Sequence, residues 1–288
     1  MMKAIYKKEI RNYMTSMIGY VFMAFILAIV GLYFSAVNIS SGSPQIGYSL
    51  SSSTFAFLIC VPILTMRVIA EERKQKTDQL LLTTPVRIGE IITGKYLALI
   101  TIFFIPLVVI SLYPLILRKF GTVSMGMSYT SILGFFLLGC AEIAVGLFLS
   151  SVTESQMIAA ILSFAILFIC YLSDGIGSLF PQTAKSSFAV FIVLIFCVCL
   201  WIGSMIKNTI ITGIFTVVAE GALVITYIVK SSLFEGSIQK FFNIFNFTNH
   251  FNNFTKGILD LNGIVYFLSV IVICLFLTDQ AISKRRWN

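Results

Sequence analysis

The chain carries eight long apolar runs, each long enough to cross a lipid bilayer as a helix. They are approximately Met17–Asn38, Thr54–Ala70, Ile91–Leu117, Met127–Ser151, Gln156–Ser173, Ser187–Ile206, Thr209–Val229 and Gly263–Gln280. A helix rises about 1.5 Å per residue, so a hydrocarbon core of about 30 Å takes about 20 residues. No water completes backbone hydrogen bonds inside that core, so a segment bonds within its own turns or joins a closed barrel. A barrel strand alternates apolar and polar residues, and Phe191-Ile-Val-Leu-Ile-Phe196 does not alternate. The expected fold is all-α: a polytopic helical membrane protein of about eight transmembrane helices, one transmembrane domain over residues 1–288.

The charge content agrees. Only 11% of the 288 residues are charged, against about 25% in a soluble domain, so much of the surface must face lipid. The net charge of +8 does not indicate nucleic acid. The basic residues stand at the ends of apolar runs, with no basic face interleaved with base-stacking aromatics.

Charge placement also sets orientation. Put the N-terminus in the cytoplasm. Fourteen of the 20 lysines and arginines then lie on the inner side, from Lys3 through Arg286. The outer side keeps Arg118, Lys119, Lys185, Lys230, Lys240 and Lys256. That is the bias of a multi-pass protein in the cell membrane with both termini inside, and an even number of crossings satisfies it. The pair Ser187–Ile206 and Thr209–Val229, joined only by Lys207 and Asn208, forms either two crossings or a re-entrant hairpin. The length of each favours crossings. The basic start (Lys3, Lys7, Lys8, Arg11) followed by the first run resembles a signal peptide, but the run is too long and lacks a small-residue cleavage site. It reads as a retained helix.

Three segments do not span. Residues 1–15 place Ile5, Tyr6, Ile10 and Tyr13 near one helical face and Lys3, Lys7 and Arg11 on the other, as in a helix lying in the inner membrane surface. Residues 230–262 include Ile238–Phe254, where phenylalanines keep helical spacing between asparagines. This reads as an outer-surface amphipathic helix with aromatics among the headgroups, or as an ordinary folded outer loop. Residues 71–90 form the largest polar stretch. They hold Glu71, Glu72, Arg73, Lys74, Lys76 and Asp78, then Leu80, Leu81 and Leu82, then Pro85, which stops a helix. Three leucines beside a charged helix ask for a partner, or dip into the membrane surface.

At this loop the sequence resembles the permease subunits of type-2 class ABC exporters, with the nearest likeness to the gliding-motility-associated branch. The stretch Glu71-Glu-Arg-Lys-Gln-Lys-Thr-Asp-Gln-Leu-Leu-Leu-Thr-Thr-Pro-Val86 carries the resemblance and continues into Gly94-Lys95-Tyr96. Gly146-Leu-Phe-Leu-Ser-Ser-Val-Thr-Glu-Ser-Gln156, Phe254-Thr-Lys-Gly-Ile-Leu-Asp260 and the closing Lys284-Arg-Arg-Trp287 extend it over nearly the whole chain. The resemblance implies a six-helix exporter core, here with an extra pair. It implies a second permease subunit, identical or not, and two cytoplasmic ATPase subunits that bind the ATP and magnesium. It also implies a coupling helix at about Glu72 to Leu82 that docks on the ATPase, with Glu72, Arg73, Thr77, Asp78, Leu80, Leu81, Leu82 and Pro85 as its docking residues. No cofactor is expected in this chain itself.

Other features carry less. Gly89-Glu-Ile-Ile-Thr-Gly-Lys95-Tyr96 approaches a phosphate-cradling loop but lacks Ser or Thr after the lysine and opens an apolar helix. Nucleotide hydrolysis is therefore expected on another chain. Six cysteines, all within apolar runs, read as packing thiols. The single histidine, His250, reads as an interfacial polar residue and leaves no material for a Ser-His-Asp site. Pro62, Pro106 and Pro114 are expected to kink the second and third spans.

Glu142 and Glu220 fall inside apolar runs, where a charge is costly. Glu142 reads equally as a translocation-path or ion-relay carboxylate and as a carboxyl that fixes packing. For Glu220 packing is favoured. These two residues leave an ion-coupled secondary transporter as one alternative function. A membrane assembly subunit that moves no solute, working on an outer-surface partner, is another.

Overall fold

Every apolar run forms a helix, because a peptide group in hydrocarbon has only its own segment to bond to. The computed structural model describes residues 2–77, 87–206 and 209–287, with no strand among them. The expectations placed on Asp78, Leu80, Leu81, Leu82 and Pro85 lie outside these residues. Among the described residues, six helical spans are long and apolar enough to cross a membrane: Met17–Ser40, Ile46–Lys74, Ile88–Arg118, Met125–Val152, Gln156–Ser178 and Leu261–Lys284. The other two runs are also helical, with shorter described apolar stretches, Ala184–Cys197 and Phe215–Val229.

In chain order the helices are α1 (Met2–Thr15), α2 (Met17–Tyr33), α3 (Ile46–Ser53), α4 (Phe57–Thr65), α5 (Ala70–Lys74), α6 (Ile88–Ile110), α7 (Tyr113–Arg118), α8 (Met125–Val152), α9 (Gln156–Ser178), α10 (Ala184–Ile206), α11 (Thr209–Val229), α12 (Ser237–Phe245), α13 (Phe247–Thr255) and α14 (Leu261–Trp287). A π-helical segment, Phe34–Ser40, completes the first span, and a 3-10 turn, Thr54–Ala56, links α3 to α4. The chain divides into two compact units, Met1–Ile169 with Phe247–Asn288, and Cys170–Asn246.

The first unit is built around α8, against which α3, α4, α6, α13 and α14 all pack. Small residues dominate the buried faces of α8, among them Ser128, Ser131, Gly139, Ala141, Ala144 and Ser150. Apolar side chains gain little from leaving lipid for protein, so membrane helices associate through close backbone approach, which small residues permit. At Gly139 a Cβ would come 2.5 Å from Phe103 Cε1. The Phe103 ring uses that space and meets Phe57 at 5.5 Å, Phe136 at 6.0 Å and Phe22 at 6.5 Å between centroids. Four helices thereby share one aromatic core.

The second span starts earlier than its hydropathy indicates, at Ile46 rather than Thr54. Serines lower the hydropathy of α3, yet the buried hydroxyls of Ser49 and Ser53 are bonded within the protein. Ser53 Oγ donates to Ser49 O at 2.6 Å, and Ser49 Oγ donates to Asn38 Oδ1 at 2.5 Å. Pro62 and Pro106 lie inside α4 and α6. Pro114 occupies the first turn of α7, directly after a turn at Ser111–Leu112 that interrupts the third span.

The segment read as one aromatic surface helix, Ile238–Phe254, is two helices separated at Asn246, whose backbone is extended. Phe251 and Phe254 of α13 are wholly buried. They pack toward α3, α8 and α14 rather than toward headgroups: Phe251 lies 6.3 Å from Phe135, and Phe254 lies 6.4 Å from Phe267. Ser131 Oγ donates to Phe254 O at 3.1 Å. Phenylalanine spacing alone cannot distinguish a lipid interface from a protein interior, since both reward the same face.

The second unit holds the end of α9 with α10, α11 and α12. Phe188 of α10 stacks on Tyr227 of α11 at 4.3 Å, and Phe234 closes against Phe188 at 6.0 Å and Tyr227 at 5.6 Å.

Candidate functional site

The connection after the second span, where the docking surface is expected, begins in a short helix with defined ends. The backbone amides of Ile69 and Ala70 donate to Ser150 Oγ of α8, at 3.3 and 3.2 Å. This serves orphan donors at the start of α5. Glu71 and Glu72 occupy its first turn and Arg73 and Lys74 its last, the order that the helix dipole favours. The helix closes at Lys74. Thr77 N donates to Glu72 O and Lys76 N to Arg73 O, both at 3.0 Å, and Lys76 is left-handed with φ of 57°. That is a Schellman ending with lysine where glycine is usual. The sequence reading places a docking helix across Glu72–Leu82; the helix bearing Glu72 stops eight residues short of Leu82.

Glu72 and Arg73 do not form a free docking face. Arg73 is buried. Glu72 Oε2 pairs with Lys95 Nζ at 2.9 Å, and its Oε1 accepts from Lys8 Nζ at 3.2 Å. Lys95, near the start of α6, is only 3% exposed. Its ammonium also donates to Glu9 Oε1 of α1 at 2.8 Å and to Val68 O at 2.9 Å. One buried cation thus meets three acceptors from three parts of the chain. An unpaired ammonium could not be kept there, and removing one partner of a buried pair costs about 3–5 kcal/mol. The Lys8 contact is half solvated and contributes little.

Around this centre, Arg67 grips Glu71 through Nε at 2.6 Å and a terminal nitrogen at 2.8 Å. Tyr13 of α1 is buried and donates to Leu64 O at 2.8 Å; burial pushes its phenol pKa up, and the neighbouring Glu9 adds to the shift. Tyr6 OH meets Thr101 Oγ1 at 2.9 Å, so α1 lies along α6. The basic side chains Lys3, Lys7 and Arg11 remain exposed on its other face. A cleft of about 400 Å³ between α1 and α5 is lined by Lys8, Glu9, Asn12, Arg67, Glu72 and Thr77, among others. Among the expected docking residues that are described, Thr77 is the exposed one, together with its neighbours Lys74, Gln75 and Lys76.

The other candidates lie apart from this cluster. Glu142 is buried in α8 at 6% exposure, and its Oε2 has no hydrogen-bond partner among the described residues. Glu220 is half-buried in α11, in the second unit. Glu9 and Lys95, central to the cluster, are not among the site residues expected from the sequence. A signal was present for Glu9, which shares the apolar face of α1 with Ile5 and Tyr13 at four-residue intervals. For Lys95 the sequence offers a near match to a phosphate-cradling loop and the Gly94-Lys95-Tyr96 continuation of the family resemblance, neither of which points to a buried ion pair.

Six apolar spans among the described residues, with a buried charge cluster joining the second and third at one end, define a multi-pass helical membrane protein. The chain belongs to the ABC-2 family of transporters: the family model described as ABC-2 family transporter protein matches residues 3–279. It is a membrane permease component and not itself the catalytic enzyme of such a system. No curated protein matches the chain.

Proposed function

We propose that this chain is the transmembrane subunit of an ATP-driven exporter in the cell membrane, with both termini and the residue 71–90 connection in the cytoplasm. Separate ATPase subunits bind ATP and magnesium and dock on the connection. Their closure moves it and reorients the spans, carrying a substrate outward. The exposed end of α5, from Lys74 to Thr77, and the residues beyond it (Asp78, Leu80, Leu81, Leu82, Pro85) form the contact. A second permease subunit, identical or not, completes the assembly, and the gliding-motility-associated branch is its place in the family. Exposed apolar side chains such as Leu32, Met157, Ile161 and Val272 are left to lipid and to that subunit.

One observation carries this reading: the family match spans residues 3–279 and so includes the whole connection. The test is copurification. The ATPase comes down with the wild-type chain, and changing Leu81 and Leu82 together to Glu lowers the bound ATPase at least about tenfold, the loss expected when central apolar anchors of an interface are removed. Unchanged assembly overturns the docking role. The unpaired Glu142 Oε2 favours the ion-coupled alternative. Transport by the chain alone in liposomes, driven by a proton gradient without ATP, would establish that reading instead.

A further inference from the structure

Lys95 belongs to a motif that nucleotide binding does not explain, and the structure gives it another task. Its ammonium is buried and bonded at once to α1 through Glu9, to α5 through Glu72 and to the turn between α4 and α5 through the Val68 carbonyl. The cation itself sits on α6. Lys8 of α1 holds the second oxygen of Glu72. The four charges therefore form a chain, Lys8–Glu72–Lys95–Glu9: α1 supplies one cation and one anion, α5 an anion, and α6 a cation.

We propose that Lys95 is a positioning residue of the coupling machinery, pinning the N-terminal helix to the docking segment so that α1, α5 and the head of α6 move as one body when the ATPase closes. The proposal rests on the exporter reading above and extends it to α1, which the sequence presents only as a membrane-surface helix. Three observations support it. First, a buried cation and its carboxylates are costly to separate, so displacing Glu72 of α5 carries Lys95 and the head of α6 with it, and through Glu9 carries α1 as well. Second, α1 is fastened to the same two elements at other points, by Tyr6 to Thr101 of α6 and by Tyr13 to Leu64 beside the joint. Third, the short α5 is held at its start by Ser150 of α8, so motion at its far end pivots about a fixed point.

The experiment uses the full complex with its ATPase in lipid nanodiscs. Spin labels are placed at Lys7→Cys on the exposed face of α1 and at Lys74→Cys on the exposed end of α5, and ATP with vanadate is the probe. With Lys95 intact, the label separation stays the same with and without trapped nucleotide. With Lys95→Met the separation changes on trapping, and maximal ATP turnover by the complex falls at least about tenfold while the KM for ATP moves less than about threefold. Lys95→Arg restores turnover to within about threefold. Should Lys95→Met fail to reach the membrane, Glu9→Gln keeps the shape, removes one charge and gives the same split. If the ATPase is bound but neither variant alters label separation or turnover, the pin proposal falls alone. If the wild-type chain binds no ATPase, the exporter reading falls and the proposal falls with it.

Discussion

Asp260 shows how a residue's role follows from the backbone groups beside it. Its Oδ1 accepts from the Asn262 amide at 2.9 Å at the start of α14, and its Oδ2 accepts from Asn253 Nδ2 at 2.6 Å. It is an N-cap that also ties back to α13. The Asn253 bond, with the backbone amides, holds its carboxyl below the usual range. A folded pKa below the unfolded value of about 3.9 means that the stabilisation is complete above that value and is lost as pH falls through the lower folded pKa. Asp260→Ala should therefore lower the melting temperature in detergent at about pH 7, and the gap from wild type should narrow toward about pH 2. A gap that stays constant with pH would assign the cap to the neutral carboxyl instead. Just before it, Gly257 takes φ of 79° and lets Ile258 N reach Asn253 O at 3.1 Å, a Schellman ending for α13. These local features were open to sequence reasoning, since Gly257 and Asp260 carry the ordinary stop and start signals of two helices.

Elements pack here by proximity of backbone more than by apolar area. In α8, Gly139 admits the buried Phe103 ring, whereas Gly126, on the same helix, has nothing near the place of a Cβ. Gly139→Leu should cost about 1–3 kcal/mol or more by overpacking, read as a fall in the thermal midpoint of the monodisperse peak on size exclusion in detergent. Gly126→Leu should change that midpoint little. Equal effects would mean that the Phe103 contact is not what makes position 139 intolerant. The same scale explains α13. Its phenylalanines were legible as a helical face, but whether that face met headgroups or protein depended on the space that α3, α8 and α14 leave. The start of the second span at Ile46 was hidden because hydropathy penalises serine hydroxyls even where, as at Ser49 and Ser53, they are bonded to the first span or to their own helix.

Across the whole molecule, the charge cluster and α13 occupy opposite ends of the first unit. α13 packs on α3, where the second span begins, and α5 ends that span. Thr77 and Lys256, both exposed, should therefore react from opposite sides of the membrane. In a chain carrying Cys197→Ser, because Cys197 is the exposed native thiol, an impermeant thiol reagent on intact cells should label Lys256→Cys and not Thr77→Cys. Inside-out vesicles should reverse the result. Labelling of Thr77→Cys on intact cells would invert the proposed topology and remove the ATPase from its docking segment. The sequence alone determined that this chain lives in a membrane, roughly where its apolar runs lie and to which family its loops are similar, because the cost of leaving water accumulates along a local stretch of about 20 residues. It offered eight such runs, of which six form spans long and apolar enough to cross among the described residues. Which charges face inward was decided only by the tertiary structure. Glu9 and Lys95 stand 86 residues apart, and nothing local to either distinguishes a solvated charge from one half of a buried pair. Glu72 reads as surface for the same reason, until α1 and α6 close around it.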